Sequence, residues 1–269
     1  MQKIILGDCL EELPKLPDKF ASLIVIDPPY NSNKVQKRQR IKTIQVDNGG
    51  DRIGFGGKQF KTVKLAGTPS YNDKFDNFQE FLMPRIRASL HCLKDNASIF
   101  IFLDWREVHY IKVAMDALLG RDHFMNELIW CFDYGAKPKK FWPRKHNTIL
   151  WYVLDPKNYI FNYDQIERIP YMAPGMVSKE KAEKGKIPCD WFFQTIVPTN
   201  GKEKANFPTQ KPLAILNKII KVHSNPEDTV LDFFMGSGTT GVSAKNNGRG
   251  FVLIDKNPAA IEICKRRLT

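Results

Sequence analysis

A glycine-rich turn near the end of the chain constrains the fold more than any other feature. The segment TVLDFFMGSGTTG places Gly236, Gly238 and Gly241 in G-x-G-x-x-G spacing, between a predicted strand and a predicted helix. The next apolar run, GFVLID, ends at Asp255, and only residues 256–269 follow it. Because so short a remainder cannot supply the rest of a sheet, the other strands must come from the N-terminal half.

Apolar runs alternate with helical patterns through the rest of the chain. Strands are predicted at 4–6, 23–26, SIFIFL, ELIWCF and TILWYVL, and helices at FQEFLMPRIRASLHCL, 105–119, PLAILNKIIKVH and 258–268. Pro84 should kink the first of these helices or mark its start. This order predicts an α/β fold with a doubly wound, mostly parallel, Rossmann-like sheet in a single domain over residues 1–269. The arrangement is circularly permuted, because the nucleotide-binding unit comes last.

Four acids stand at or just after the ends of predicted strands: Asp8, Asp27, Asp232 and Asp255. Ligands of such sheets bind at the carboxyl ends of parallel strands, so we expect these side chains to converge. Asp8 also suits a helix N-cap. The glycine turn with Asp255 fits any ligand that carries an adenosine, but the late position of this unit argues against NAD. A Walker A phosphate loop is excluded, since no Gly-Lys-Ser/Thr follows the glycines.

The stretch ASLIVIDPPYNSN ends a buried strand with an acid and two prolines. Pro28 and Pro29 prevent further sheet pairing and fix the backbone. One interpretation is a rigid turn that ends a strand. The other is a carboxylate, Asp27, and an aromatic ring, Tyr30, held in a stiff frame for a ligand.

Basic residues predict a polyanionic partner. The net charge is +12, and residues 31–68 contribute +7 of it, from nine Lys or Arg against two acids. This Gly-rich segment predicts a basic, mobile loop over 31–72. A second segment, AKPKKFWPRKHN, interleaves five basic residues with Phe141 and Trp142, which is typical of nucleic-acid contacts. These two segments predict contact with DNA or RNA through Lys37, Arg38, Arg40, Lys139, Lys140, Arg144 and Lys145.

Membrane, secretory and metal-binding classes are disfavoured. No run of 18 apolar residues predicts a membrane-spanning helix, and MQKIILGDCLEEL lacks the apolar core of a signal peptide. The five cysteines form no CxxC pair, so we expect a reduced, cytoplasmic protein without a metal site. Cys189 follows Pro188 in a polar, irregular stretch, and we interpret it as structural rather than nucleophilic.

Four motifs in their order resemble the β group of the amino-methylating DNA methyltransferases. They are DPPY at 27–30, NFPTQKP at 206–212, LDFFMGSGTT at 231–240 and LIDKNP at 253–258. The segment KKFWPRKHNTILWY also resembles part of that group. The resemblance covers most of the chain and leaves 31–72 and 155–205 unmatched. Phe207 and Phe233 stand where histidine and proline are commoner.

The resemblance implies methyl transfer from S-adenosyl-L-methionine to an exocyclic amine of a base flipped out of double-stranded DNA. The DPPY form favours adenine N6, with cytosine N4 as the alternative. The implied catalytic residues are Asp27, Pro28, Pro29 and Tyr30. The implied cofactor-binding residues are Asp8, Cys9, Asp27, Lys211, Phe234, Gly236, Ser237, Gly238, Thr239, Asp255, Lys256 and Asn257.

The resemblance also implies a place in a restriction-modification system, with a cognate restriction endonuclease and a homodimer as candidate partners. Target recognition is expected in the insertion at 155–206. Two other hypotheses stay open. A nicotinamide-dependent oxidoreductase would use the glycine turn and Asp255, but leaves DPPY and the basic segments unexplained. A non-catalytic DNA-binding protein leaves the intact motifs unexplained.

Overall fold

The strands form one large sheet and two small ones. The computed structural model describes residues 1–37, 40–65, 70–135, 137–198 and 201–269. Its strands are β1 (Gln2–Leu6), β2 (Ala21–Ile26), β3 (Lys34–Lys37), β4 (Arg40–Val46), β5 (Arg52–Ile53), β6 (Gln59–Leu65), β7 (Ser70–Asp73), β8 (Leu93–Leu103), β9 (Phe124–Cys131), β10 (His146–Val153), β11 (Trp191–Phe193), β12 (Thr229–Asp232) and β13 (Gly250–Asp255).

The helices connect these strands, and several begin at side-chain caps. They are α1 (Cys9–Glu12), α2 (Phe78–Ser89), α3 (Val108–Leu119), α4 (Lys179–Lys184), α5 (Leu213–His223), α6 (Thr239–Asn246) and α7 (Pro258–Leu268). Asp8, Asn77 and Asn257 cap α1, α2 and α7 by accepting N–H groups of the first turn. The capping role predicted for Asp8 is therefore confirmed.

Pro84 lies inside α2, so the alternative that it marks the start of this helix is wrong. The start is set upstream by Asn77, whose Oδ1 accepts the N–H groups of Gln79 and Glu80. A proline within a helix removes one backbone donor, and the buried Phe78, Leu82 and Ile86 hold the helix against the core.

The large sheet interleaves strands from both ends of the chain. Its order is β1-β13-β12-β2-β8-β10-β9-β11. The pairs β1–β13, β13–β12, β12–β2 and β2–β8 are parallel, and β10 runs antiparallel to both β8 and β9. The unit β12-α6-β13 thus lies between β1 and β2. This confirms the predicted Rossmann-like sheet, with the last unit of the chain docked among the first strands.

Helices cover both faces of the sheet, as a doubly wound fold requires. Ile24, Ile26, Ile99 and Ile101 face the side covered by α2 and α3. The alternate residues, among them Leu23, Val25, Phe100 and Phe102, face the side covered by α5, α6 and α7. Because both faces are buried, β2 is fully apolar apart from Ser22.

Residues 34–73, here called the basic arm, carry the two small sheets. β3 pairs with β7, and β6 pairs with both β4 and β5. The prediction of a loop without regular structure over 31–72 is therefore wrong. Glycine and charge dominate the composition, and the apolar residues of QFKTVKL are too few and too unevenly spaced to predict a strand. The mobility of the arm stays a prediction.

The segment predicted to be irregular, 155–206, contains only short elements in its described part. These are α4, β11 and single turns of 3₁₀ helix at Tyr163–Gln165 and Pro174–Met176. β11 pairs with β9 and so extends the large sheet. In the described part of the chain, no helix is both long and apolar enough to cross a membrane. All five cysteines are free thiols.

Candidate active site

A cavity of roughly 520 Å³ lies at the carboxyl edge of the large sheet. The register places Leu6 beside Asp255 and Asp232 beside Leu253, so the parallel strands end together. The acids that follow these strands, Asp8, Asp27, Asp232 and Asp255, all line the cavity. Their predicted convergence is confirmed, whereas their roles as ligand contacts stay a prediction.

The glycine turn and Asn257 hold the Asp255 carboxylate from two sides. The N–H of Gly236 donates to Oδ2 at 2.9 Å, and the N–H of Asn257 donates to Oδ1 at 2.8 Å. Burial raises the pKa of Asp255, and these two N–H groups oppose the rise. Gly236 has a φ of +48°, and a Cβ there would lie 3.1 Å from the Phe207 ring. The turn therefore orients a carboxylate acceptor toward the cavity.

Two glycines of the turn serve helix packing. A Cβ at Gly238 would lie 2.3 Å from Cys264 Sγ, and one at Gly241 would lie 2.4 Å from Leu253 Cδ1. Gly238 lets α6 begin directly against α7 and does not line the cavity, and its role as a cofactor contact stays a prediction. The other residues predicted to bind the cofactor do line it: Asp8, Cys9, Asp27, Lys211, Phe234, Gly236, Ser237, Thr239, Asp255, Lys256 and Asn257.

An apolar slot lies beside Asp8. The ring centroid of Phe81 is 4.2 Å from that of Phe75 and 5.9 Å from that of Phe234. Arg85 donates from Nη2 to Asp8 Oδ1 at 3.2 Å. Although burial favours the neutral acid, the Leu10 N–H and the Arg85 guanidinium hold the pKa of Asp8 below its ordinary value. The sequence did not predict Phe75, Phe81 and Arg85 as cavity residues. Phe81 and Arg85 lie on α2, whose amphipathic pattern does not distinguish cavity contacts from core, and Phe75 lies just before it.

Both carboxylate oxygens of Asp27 accept hydrogen bonds. The hydroxyl of Tyr30 donates to Oδ1 at 2.7 Å, and Lys211 Nζ donates to Oδ2. Asn147 on β10 donates from Nδ2 to the Tyr30 oxygen at 2.8 Å. Burial and then the Asp27 charge raise the pKa of Tyr30, so its hydroxyl keeps its proton. Asp27 and Pro29 line the cavity, whereas Pro28 and Tyr30 do not.

Asp232 is the most deeply buried of the four acids, at 3% exposure. Burial raises its pKa to about 7, and the carboxylates of Asp27 and Asp255 add to the rise. The N–H of Phe234 donates to Asp232 Oδ1 at 2.9 Å and partly opposes it. The cavity therefore contains one carboxyl group that can exchange a proton near neutral pH.

Strand β7 joins the basic arm to the rim of the cavity. The hydroxyls of Tyr71 and Thr209 are hydrogen-bonded at 3.0 Å, and the rings of Tyr71 and Phe207 stack with centroids 6.4 Å apart. Asn257 Nδ2 donates to the Ser70 carbonyl at 3.2 Å. No sequence pattern indicates these interactions, because they join segments far apart in the chain.

Comparisons with known proteins agree with this geometry. The DNA methylase family model, N6_N4_Mtase, matches residues 21–266. The chain is 31% identical to the DNA adenine methyltransferase YhdJ of Escherichia coli, over 98% of this chain and 82% of that protein. It is 29% identical to the type II methyltransferase M.HpaI of Haemophilus parainfluenzae, over 99% of this chain and 74% of that protein. The chain belongs to the DNA methylase family.

Solved structures of DNA methyltransferases share the fold of this methylase. M1.HpyAVI, solved as its S-adenosylmethionine complex, superposes with a TM-score of 0.61 at 23% identity, with all of both chains covered. The cytosine-N4-specific PvuII DNA methyltransferase superposes with a TM-score of 0.68 at 16% identity, over all of this chain and 86% of that one. Membership of the family implies S-adenosyl-L-methionine as the methyl donor, in agreement with the prediction.

The predicted DNA-binding residues of the methylase lie in different settings. Lys139 and Lys140 are exposed. The guanidinium of Arg144 lies 3.8 Å from the ring centroid of Trp105 and 4.7 Å from that of Phe141. Lys145 Nζ donates to the Tyr134 carbonyl at 2.5 Å, and so closes the loop that carries the others. Lys37 and Arg40 lie on β3 and β4 of the basic arm, and Arg38 lies outside the described residues.

Proposed function

We propose that this methylase transfers a methyl group from S-adenosylmethionine to N6 of adenine in double-stranded DNA. The observation that carries the proposal is a shared cavity. Asp27, the first residue of DPPY, lines the same cavity as Asp255 and the glycine turn. An acceptor for an amine therefore lies within reach of a site suited to a nucleoside.

The residues of the cavity fit the proposed cofactor. Its volume is within the usual range for small-molecule sites, about 300–1,000 Å³. The held carboxylate of Asp255 suits ribose hydroxyls, and the slot of Phe75, Phe81 and Phe234 suits an adenine ring. When bound, the cofactor would supply an electrophilic methyl group on a sulfonium centre, and the buried acid Asp232, which lines the same cavity, would be able to carry compensating charge.

Asp27 and the Pro28 carbonyl would hold the two N–H groups of the substrate amine. The lone pair of that amine is delocalised into the base, and tetrahedral placement of the N–H groups localises it for attack. Tyr30 and Lys211 use one acceptor position on each Asp27 oxygen, and a carboxylate offers about four in all. In the transfer, the S–C bond to the methyl group would break and leave a neutral thioether, while the amine would gain the methyl group and lose one proton, for which we propose Asp27 as the acceptor. The two prolines keep the acceptors from relaxing.

The target base would reach this site by base flipping. A base inside a duplex cannot approach Asp27, and extrusion costs a few kcal/mol of stacking and pairing. The Tyr30 ring, held at its hydroxyl by Asp27 and Asn147, offers a flat face that offsets part of this cost. The basic arm and the segment 137–145 supply positive charge for the backbone, and 155–206 supplies base recognition.

We assign adenine rather than cytosine on the DPPY resemblance and on the name of the adenine-specific relative from Escherichia coli. Cytosine N4 stays the second candidate, because the cytosine-N4-specific PvuII enzyme shares the fold. The test is to methylate phage DNA that lacks modified bases, digest it to nucleosides and analyse them by mass spectrometry. We expect N6-methyladenine. N4-methylcytosine as the sole product would reverse the assignment.

The proposal for the biological setting rests on the name of one relative. M.HpaI is named as a type II methyltransferase, and by similarity we place this methylase in a restriction-modification system with a cognate endonuclease. The enzyme would act in the cytoplasm, where its DNA is, and a homodimer is the assembly that we propose. The nicotinamide-dependent alternative has no support from the family match.

A further inference from the structure

A hydrogen-bond chain that ends on Asp27 begins at a residue for which the mechanism above has no chemical role. Asn147 lies on β10 and is 8% exposed. Its Nδ2 donates to the Tyr30 oxygen at 2.8 Å, and the Tyr30 hydroxyl donates to Asp27 Oδ1 at 2.7 Å. In the sheet order, β8 separates β10 from β2, the strand that delivers Asp27. Asn147 therefore braces DPPY from a different part of the chain.

The carboxylate of Asp27 decides which group donates in each of these two hydrogen bonds. An ionised carboxylate only accepts hydrogen bonds, so the single proton of the Tyr30 hydroxyl must point to Asp27. The Tyr30 oxygen then has only lone pairs left for Asn147. The amide must present its NH₂ group, because its carbonyl oxygen would place two acceptors against each other.

We propose that Asn147 is a positioning residue that holds Tyr30 and Asp27 in fixed mutual orientation for methyl transfer. Two hydrogen bonds on one hydroxyl limit both the rotation of the O–H bond and the tilt of the ring. The same ring is the platform for the base, and the same carboxylate accepts the amine. The buried amide of Asn147 thus sets the angle between the Tyr30 ring and the Asp27 carboxylate. This inference rests on the proposed function.

Two features of Asn147 predict that its replacement lowers the rate of methyl transfer without changing the affinity for cofactor or DNA. Asn147 does not line the cavity, so its replacement leaves the surface that meets the cofactor unchanged. It is also buried, so it offers no donor to DNA phosphates. Small displacements of reacting groups lower the rate steeply, by up to roughly a hundredfold for 1 Å. A residue needed only for stability would instead lower the melting temperature and leave the rate of the folded enzyme unchanged.

The test substitutes Asn147→Leu, which keeps the size of the side chain and removes the donor. The matched control is Asn126→Leu on the neighbouring strand β9, where the Asn126 side chain accepts the N–H of the adjacent Glu127. Single-turnover methylation is measured with labelled S-adenosylmethionine and unmodified phage DNA, counting all methyl groups whichever base carries them. Affinity for S-adenosylmethionine is measured by calorimetry, and folding by thermal melting. Tyr30→Phe, alone and combined with Asn147→Leu, completes a double-mutant cycle.

We expect Asn147→Leu to lower the single-turnover rate by roughly tenfold or more, with cofactor affinity and melting close to wild type. In the Tyr30→Phe background, Asn147→Leu should lower the rate little further, since the hydroxyl that links Asn147 to Asp27 is already absent. Equal decreases in both backgrounds, or no decrease in the first, would overturn the inference. If Asn147→Leu does not fold, an unchanged rate in Tyr30→Phe overturns it as well. Wild-type enzyme without methyl transfer would instead count against the proposed function.

Discussion

Burial raises the pKa of two acids in the cavity. Asp232 is held by a backbone N–H, yet burial still raises its pKa to about 7. Burial also raises the pKa of Asp255. Asp8 is more accessible, and although burial opposes them, the Leu10 N–H and the Arg85 guanidinium hold its pKa below the ordinary value. These three acids are alike in the sequence, but their pKa values differ because each meets a different depth and different partners.

The raised pKa of Asp232 makes the free energy of unfolding decrease as pH rises toward 7. In the unfolded chain this carboxyl loses its proton near pH 3.8, and in the folded protein near pH 7. Between these values only the folded state keeps the proton. The contribution of this group is therefore present at low pH, and it is lost as pH rises to 7, by up to roughly 1.4 kcal/mol per pH unit.

Asp232→Asn should remove this slope, because asparagine keeps the acceptor for Phe234 and carries no charge. Chemical denaturation at about pH 5 and about pH 8 measures it, and the variant should gain stability relative to wild type as pH rises. Asp95→Asn, at an exposed acid on β8, is the control. Parallel curves for wild type and Asp232→Asn would show that Asp232 is charged throughout.

At the scale of elements, sequence patterns predicted the large sheet and not the basic arm. Long apolar runs bounded by acids and glycines identify buried strands, and their carboxyl ends follow from the parallel order. The arm lacks such runs, and within its described residues the strands pair only with each other. Asn147, Arg85 and Tyr71 were missed for another reason. Each reaches the site through tertiary packing, and no local pattern reports that packing.

The basic arm should contribute to DNA affinity mainly through charge. Lys42, Lys58 and Lys61 are exposed on it. Replacing all three with alanine should weaken binding to every sequence alike. It should also reduce the log–log dependence of affinity on salt by about 0.9 for each phosphate that the variant no longer neutralises. Fluorescence anisotropy with labelled duplexes over a salt series measures both quantities.

A matched triple substitution at Lys15, Lys19 and Lys157 provides the control. Lys15 and Lys19 precede β2, and Lys157 follows the antiparallel β10, so all three lie at the edge of the sheet opposite the cavity. Their removal lowers the net charge equally. If the two triple variants have the same salt dependence and affinity, the arm is not a DNA-binding surface, and its charge is that of a solvated face.

At the scale of the whole molecule, the active site exists only when both ends of the chain meet. Residues 7–9, 25–27 and Pro29 supply one side of the cavity, and 232–237 and 255–258 supply another. The rim at Tyr71 then links the cavity to the basic arm. In the proposed mechanism, the cofactor, the target base and the DNA backbone meet at this edge of the sheet. There, we propose, Asp27 accepts a hydrogen bond from the substrate amine.

Methyl transfer by Asp27→Ala tests that claim most directly. Incorporation from labelled S-adenosylmethionine into unmodified phage DNA is measured for wild type and variant. Calorimetry for the cofactor and anisotropy for DNA are run in parallel. We predict that the variant keeps both binding affinities within a few-fold and loses at least about a hundredfold in rate, as removal of a preorganised polar group does. A variant that binds and methylates DNA at the wild-type rate would contradict the account.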